Sequence, residues 1–261
     1  MDVAARPWVS VHELAGLPVL EARLPGLFRT CFTTRLGGDS QGSFASLNLD
    51  ARSQDDPRVV ARNRARISDA IGRELVSPSQ VHGVRVTGLS EYVLESPGGP
   101  CDGLTIHQDI DKTLAAALMF ADCVPVVICG EVDMAVAHGG WRGILGGVVQ
   151  QAGRSMMGAP ATVVIGPSIG PCCFTVGEEV AESFARRYGP EVVLGSASEG
   201  GGLRVDLWEA VTKAASELGV QRRHVVNPRL CTVCNRDLFY SYRCEGPVTG
   251  RHACVAWIAD A

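Results

Sequence analysis

The sequence predicts an α/β or α+β protein. Short β-prone stretches alternate with amphipathic helical ones along the chain. Gly- and Pro-rich joints separate them. At 261 residues with 46% hydrophobic and 20% charged side chains, the chain has ample material for a buried core.

Taken in order, residues 27–33 alternate and read as a strand, and residues 35–40 read as a loop. A helix is predicted from Asp56-Pro57, because Asp caps and Pro suits the first helical position. Its apolar stripe holds Val60, Ile67, Ala70 and Ile71, and Asn63 falls on the same stripe. A polar group there is either a satisfied core amide or a residue aimed at a site. Residues 114–129 form a long apolar run broken by Ala121-Asp122-Cys123 and by Pro125. The missing proline donor predicts a bend or a sheet edge. Residues 134–137 read as a short buried strand that ends before His138-Gly139-Gly140 and a single helix bearing Ile144, Leu145, Val148, Val149 and Ala152. Gly143, Gly146 and Gly147 are poor helix formers and suggest close approach of another backbone. Residues 162–165 form a strand that enters a rigid loop over 166–171. The Gly-Ser-rich run 195–202 reads as a surface loop, and Asp206-Leu207-Trp208-Glu209 as a capping box. With no repeat or linker in view, one domain over 1–261 is expected.

The net charge of −4 offers no footprint for nucleic acid, which needs a basic face. Neither a signal segment at Met1–Pro7 nor an apolar run of membrane-spanning length is visible, so a cytoplasmic chain free of membrane is expected. Of ten cysteines, several lie inside apolar runs, Cys129 and Cys254 among them, and read as buried free thiols.

Three residues draw attention as chemistry. His138 stands at a strand-to-helix joint followed by two glycines, with Arg142 close behind. A cation at a helix start opposes the helix dipole, which suggests an anion to be bound. Cys123 interrupts an apolar run after Asp122, and His82 lies in Gln80-Val81-His82-Gly83. No ligand-spacing motif links the three, so residue patterns alone leave buried thiol and structural histidine as open alternatives to a metal site.

Several segments together resemble a known family. They are Thr33-Thr34-Arg35 with Gly37-Gly38, Ser46-Leu47-Asn48-Leu49, Asn63-Arg64, and Gln80-Val81-His82-Gly83. Further on come Ala121-Asp122-Cys123 with Pro125, and Ala137-His138 with Gly140-Trp141-Arg142-Gly143. The last are residues 165–171 with Val176-Gly177, and Cys231-Thr232-Val233-Cys234 through Phe239-Tyr240-Ser241-Tyr242-Arg243. The family is the laccase-domain, or multicopper polyphenol oxidase-like, group later described as YfiH-like purine nucleoside phosphorylases. One departure is Gly139, where the family commonly has Ala. Residues 1–25 match nothing in it.

The resemblance implies a layered arrangement of mixed β-sheets flanked by helices, distantly shared with toxin deamidases of the cytotoxic-necrotizing-factor type. It implies that His82, Cys123 and His138 bind one zinc or similar ion, copper being the alternative. It also implies phosphorolysis of adenosine, inosine and methylthioadenosine to the free base and ribose 1-phosphate, with adenosine deamination as a second activity. Within the matched segments, Arg35, Arg142 and Arg243 suit phosphate, and Asn48, Asn63 and Ser241 suit ribose or base. The chain is expected to act as a monomer or homodimer on a purine nucleoside and phosphate.

Three rivals stand beside this reading. A copper polyphenol oxidase would need many clustered histidines, yet the chain has six, and His12, His107, His224 and His252 lie outside the site motifs. Cys123 with His138 or His82 could instead form the nucleophile–base pair of a hydrolase or amidase, including one that edits misbuilt cell-wall precursors. Finally, Cys231 and Cys234 with Cys172 and Cys173 could form a structural tetrathiolate. A single CxxC with an adjacent pair is a weak signal, and neighbouring cysteines are expected to struggle to face one ion, which favours buried or redox-active thiols.

Overall fold

The computed structural model describes residues 9–195 and 202–260. The predicted surface loop at 195–202 therefore falls largely outside the described residues. The strands run β1 (Val9–Leu14), β2 (Leu17–Arg23), β3 (Phe28–Thr33), β4 (Glu74–Val76), β5 (Val86–Gly88), β6 (Gly103–His107), β7 (Leu114–Phe120) and β8 (Val124–Cys129). They continue as β9 (Asp133–Gly139), β10 (Thr162–Ile165), β11 (Thr175–Val176), β12 (Val193–Leu194), β13 (Leu203–Val205), β14 (Val225–Val226) and β15 (His252–Ile258). The helices are α1 (Pro57–Ile71), α2 (Leu89–Glu95), α3 (Trp141–Gly146), α4 (Val148–Arg154), α5 (Glu178–Tyr188), α6 (Leu207–Glu217) and α7 (Tyr242–Glu245).

One mixed sheet has the order β1-β2-β3-β15-β7-β4 and a second the order β14-β10-β8-β9-β6-β5, with a small antiparallel sheet β11-β13-β12 beside them. Strand alternation sorts each strand's side chains into two layers. On β7, Ala116, Leu118 and Phe120 join Phe28, Phe32, Cys254 and Ala256 in a buried layer shared with Leu104, Val127, Val136 and Val164 of the second sheet. Their neighbours Ala115, Ala117 and Met119 face outward and pack with Ile67 of α1. The other face of the second sheet, with Val126, Ile128, Ala135 and Ala137, is covered by α4 to α6 through Val149, Phe184 and Val211. The result is helix, sheet, sheet, helix: the layered α+β class with mixed sheets.

Local expectations hold at several joints. Asp56 caps α1 by accepting from the Arg58 amide, with Pro57 at the first helical position. The N-terminal stretch outside the family resemblance supplies the β1–β2 hairpin at the sheet edge. Other expectations are corrected. Pro125 lies in an interior strand, between β9 and β10, and not at an edge. Its carbonyl faces the Gly166 amide, one residue past the Val126–Ile165 pair, so its missing donor points beyond the end of β10 and costs no ladder bond.

The strand before the glycines is longer than expected, since β9 includes His138 and Gly139. The following helix is two helices, split at Gly147, which sits at φ 92°. The close approach read from its glycines is present: a Cβ on Gly143 would lie 2.9 Å from the Gly83 carbonyl. At α6 only half of the capping box forms. Asp206 accepts from the Glu209 amide, but the Glu209 carboxylate pairs with Arg222.

Candidate metal centre

The two large sheets are joined where the chain crosses between them, and the three singled-out residues meet there. Cys123 lies in the turn from β7 to β8, and His82 in the crossing from β4 to β5. His138 is held in register opposite Pro125 near the end of β9. One donor atom from each of the three lies within 4.8 Å of the others, and Cys123 Sγ stands 3.9 Å from His82 Nδ1.

Asp102 organises this corner. Its side chain is fully buried. Oδ1 pairs with His138 Nδ1 at 2.8 Å and accepts the His82 amide at 2.9 Å, while Oδ2 accepts the Gly83 amide at 2.8 Å. The Val81 amide approaches both oxygens. One carboxylate therefore orients the His138 ring, leaving its Nε2 for the site, and shapes the loop that carries His82. That loop places His82 at φ 60°, an unusual conformation for a side-chain-bearing residue. Burial opposes charge on Asp102, but the His138 ring and the Gly83 and Val81 amides hold the carboxyl below its usual range.

Asp122 has the same kind of role beside Cys123. It sits at φ 89°. Its carboxylate accepts from Thr232 Oγ1 at 2.6 Å and Ser241 Oγ at 3.1 Å, and from the Arg243 amide. Strain of about 1–3 kcal/mol at such a position persists only when the surroundings over-determine it.

Burial opposes ionisation of Cys123, yet the charge and hydrogen bond of His138, with help from His82, lower its thiol to about 6. Burial likewise opposes charge on His138, but Cys123 and Asp102 together raise it to about 9. Each group thus favours the charged form of the other. Two imidazoles and a thiolate are a donor set suited to zinc or copper, and three protein ligands leave a fourth tetrahedral position open. Of the two ring nitrogens of His138, one is already engaged by a carboxylate, as is usual for a metal-binding histidine.

The three residues line a cavity of about 560 Å³ together with Arg52, Arg142, Arg243, Arg251, Trp141, Phe174 and Tyr242. Arg142 is exposed and lies over the Trp141 ring at 4.2 Å. Arg243 leans on the carbonyls of Cys173 and Thr175 at 3.3 and 3.1 Å.

Four sequence-predicted ligand-binding residues do not line this cavity. Arg35 pairs with Glu245 at 2.7 Å and stacks on Tyr240, holding a loop instead of facing the site. Asn63 is fully buried and binds Ser40 Oγ, the Ser46 and Asn48 carbonyls and the Asp39 amide, so it is a satisfied core amide. Ser241 is buried against Asp122 and caps α7. Asn48 binds Ser53 and Asp55, and its Oδ1 accepts the backbone amide of Arg251. Each earns its burial by hydrogen bonding within the wall.

Residues that sequence reasoning missed are Asp102, Arg52, Arg251 and Trp141. Nothing local marks Asp102, which reaches the site only through the pairing of β6 with β9. Trp141 stood beside Arg142 in a matched segment and could have been found. His12, His107, His224 and His252 line none of this cavity.

A sequence family described as "Multi-copper polyphenol oxidoreductase laccase" matches residues 29–259. The chain is similar to "Purine nucleoside phosphorylase YlmD" of Geobacillus stearothermophilus, at 33% identity over 95% of this chain and 93% of that protein. It is also similar to "Purine nucleoside phosphorylase PA4543" of Pseudomonas aeruginosa, at 33% identity over 90% and 96%. Among solved structures, Neisseria meningitidis protein NMB0706 superposes with a TM-score of 0.83 at 33% identity, over 93% of this chain and 99% of that one. The YlmD crystal structure gives a TM-score of 0.81 at 30% identity, over 93% and 96%. By sequence match over nearly its whole length and by shared fold, the chain belongs to the multi-copper polyphenol oxidoreductase laccase family.

Proposed function

We propose that this chain is a zinc-dependent purine nucleoside phosphorylase that takes adenosine, inosine and methylthioadenosine with phosphate to the free base and ribose 1-phosphate, with adenosine deamination as a side activity. The observation that carries the reading is the His82–Cys123–His138 donor set in the wall of an arginine-lined cavity sized for a small ligand. The names of the bacterial relatives support the reaction class.

In phosphorolysis a phosphate oxygen bonds to the ribose anomeric carbon as the bond to the purine nitrogen breaks, and the electron pair leaves with the purine. The chain's part is to hold a polyanion beside the sugar and a planar base beside it. Arg142 and Arg243 are the phosphate-binding groups, since a guanidinium presents two parallel donors to phosphate. Arg52 and Arg251 add positive charge, and Asn48 fixes the backbone of Arg251. Trp141 and Phe174 offer aromatic faces for the base. His82, Cys123 and His138 would hold the ion, which when bound supplies a Lewis acid and an acidified water for deamination. Asp102 orients the His138 ring and holds the backbone amide of His82.

The test is incubation of the purified protein with inosine, with and without phosphate. Hypoxanthine and ribose 1-phosphate should appear together only when phosphate is present. Base release at an equal rate without phosphate makes the reaction hydrolysis and removes the phosphate role of the arginines.

One observation favours a second reading. Cys123, His138 and Asp102 line up as nucleophile, base and orienting carboxylate, the arrangement of a cysteine hydrolase. The two readings part on alkylation: Cys123 of the protein as purified resists iodoacetamide if it is a metal ligand, and reacts rapidly if it is a free nucleophile.

A further inference from the structure

Behind the Phe174 and Arg243 wall lies a second cluster that shares no residue with the first. Cys172, Cys173, Cys231 and Cys234 come from two separate turns, and their four Sγ atoms all lie within 4.8 Å of one another. Two of the separations are 3.7 Å (Cys172 to Cys234) and 3.6 Å (Cys173 to Cys234). A disulfide would need about 2.05 Å. With zinc–sulfur bonds of about 2.3 Å, the sulfur–sulfur edge of a tetrahedral tetrathiolate is about 3.8 Å. The sulfurs therefore stand near the spacing that a single ion requires.

Adjacent cysteines are expected to struggle to face one ion, but here the local backbone eases that. The amides of Cys173 and Phe174 both donate to the Gly170 carbonyl, at 3.0 Å each, so residues 170–174 form a tight turn and not an extended strand. In a turn, neighbouring side chains diverge by less than the opposite directions of a strand. The Cys231–Cys234 turn is closed by Asn235, whose backbone and side-chain nitrogens both donate to the Cys231 carbonyl. The two turns are fastened together by the Ser168–Cys231 bridge. The Gly170 amide donates to Cys231 Sγ at 3.3 Å, a contact that favours a thiolate there. Gly170 has no room for a side chain, since a Cβ would lie 2.7 Å from the Trp208 ring and 3.2 Å from Cys172 Sγ.

We propose that these four cysteines form a second, structural metal site that holds one tetrahedral zinc ion. Four thiolates select a soft ion, and a donor set closed to water gives support without catalysis. The site braces the cavity wall. It ties the turn bearing Phe174, and the Cys173 carbonyl on which Arg243 rests, to the turn bearing Thr232, which donates to Asp122 beside Cys123.

The test counts metal in the full chain purified under reducing conditions with zinc supplied. Wild type should carry two zinc ions per chain. Cys123→Ala should keep one, and that one should be released by a mercurial thiol reagent. Cobalt substituted into Cys123→Ala should give the intense visible bands of tetrahedral cobalt–thiolate coordination. Alkylation of the folded, zinc-loaded protein, mapped by mass spectrometry, supplies a control that needs no variant. Cys244 is exposed and should label freely, whereas the exposed Cys172 and Cys234 should label at least about ten-fold more slowly. A Cys123→Ala protein without zinc, a disulfide mapped among the four, or labelling of Cys172 and Cys234 as fast as Cys244 would each overturn the proposal. Iron in place of zinc in the count would overturn the choice of ion. None of these readouts depends on turnover, so a failed nucleoside assay leaves them unaffected.

Discussion

Asp102→Asn is the most informative single change in the corner that carries His82 and His138. The carboxylate serves four donors: the amides of Val81, His82 and Gly83, and Nδ1 of His138. An amide side chain of the same shape must turn two hydrogens toward some of them. If its nitrogen faces Gly83, a buried amide loses its acceptor, at a cost of about 1–3 kcal/mol. If it faces His138, the ring can accept only by moving its own proton to Nε2, the nitrogen needed for the ion. Either way, loss of the charged partner should weaken metal binding about ten- to a hundred-fold. The metal-free protein should melt roughly 2–12 °C lower, from the same 1–3 kcal/mol spread over a chain of this size. The assay is competition for zinc against a chromogenic chelator, read on the class of site that Cys123→Ala abolishes, beside a melt of stripped protein. Wild-type zinc affinity in the variant would refute the claim that Asp102 tunes His138.

Three further outcomes are expected. A Cβ on Gly140 would lie 2.4 Å from His82 Nδ1, so Gly140→Ala must push the ring back by about 1 Å, several times the tolerance of a metal–ligand bond; zinc competition should show at least about a ten-fold loss with the far-ultraviolet dichroism unchanged, and undiminished affinity would clear Gly140 of any part in placing His82. Arg142→Ala should keep its metal while the phosphate requirement for inosine cleavage rises about ten- to a hundred-fold, the worth of a charge-assisted hydrogen bond; an unaltered phosphate titration removes Arg142 from the site. His252 is buried with neither ring nitrogen paired among the described residues, and burial, then the charges of Arg251 and Arg35, push it down to about 3. Its unfolded form takes up a proton near 6.5, so the unfolded state binds more protons between those values and stability falls as pH drops through that window, by roughly 1.4 kcal/mol per pH unit. His252→Leu should flatten the melting-temperature decline from pH 6.5 to 4.5, and an identical decline in both proteins would assign acid lability elsewhere.

Much of the architecture was legible from local signals. The cap at Asp56, the strand at 162–165 and a close backbone approach at Gly143 follow from residue type and period alone. What failed was whatever depends on partners distant in sequence. Pro125 reads as a bend or an edge residue until the end of β10 shows that its missing donor faces no strand. Asn48, Asn63, Ser241 and Arg35 sit in segments that carry the family resemblance, yet their polar groups are spent on loops that build the wall. A motif marks a residue that matters without saying whether it touches a ligand. Asp102 shows the converse: no motif holds it, and only the β6–β9 pairing brings it under His138.

The placement of His82 and Cys123 on two different passages between the sheets has a consequence for how long the protein lasts. An ion at their meeting point clasps the ends of both sheets across a sequence separation of 41 residues. The unfolded chain has no such preformed site, so occupancy favours the folded form by RT ln(1 + [ion]/Kd), which reaches about 4 kcal/mol at a thousand-fold excess over Kd. That is a large part of the roughly 5–15 kcal/mol that keeps a domain folded. On the proposed function, metal supply would then govern abundance as well as competence: a cell short of the ion would lose the chain to proteolysis, and not merely hold it idle.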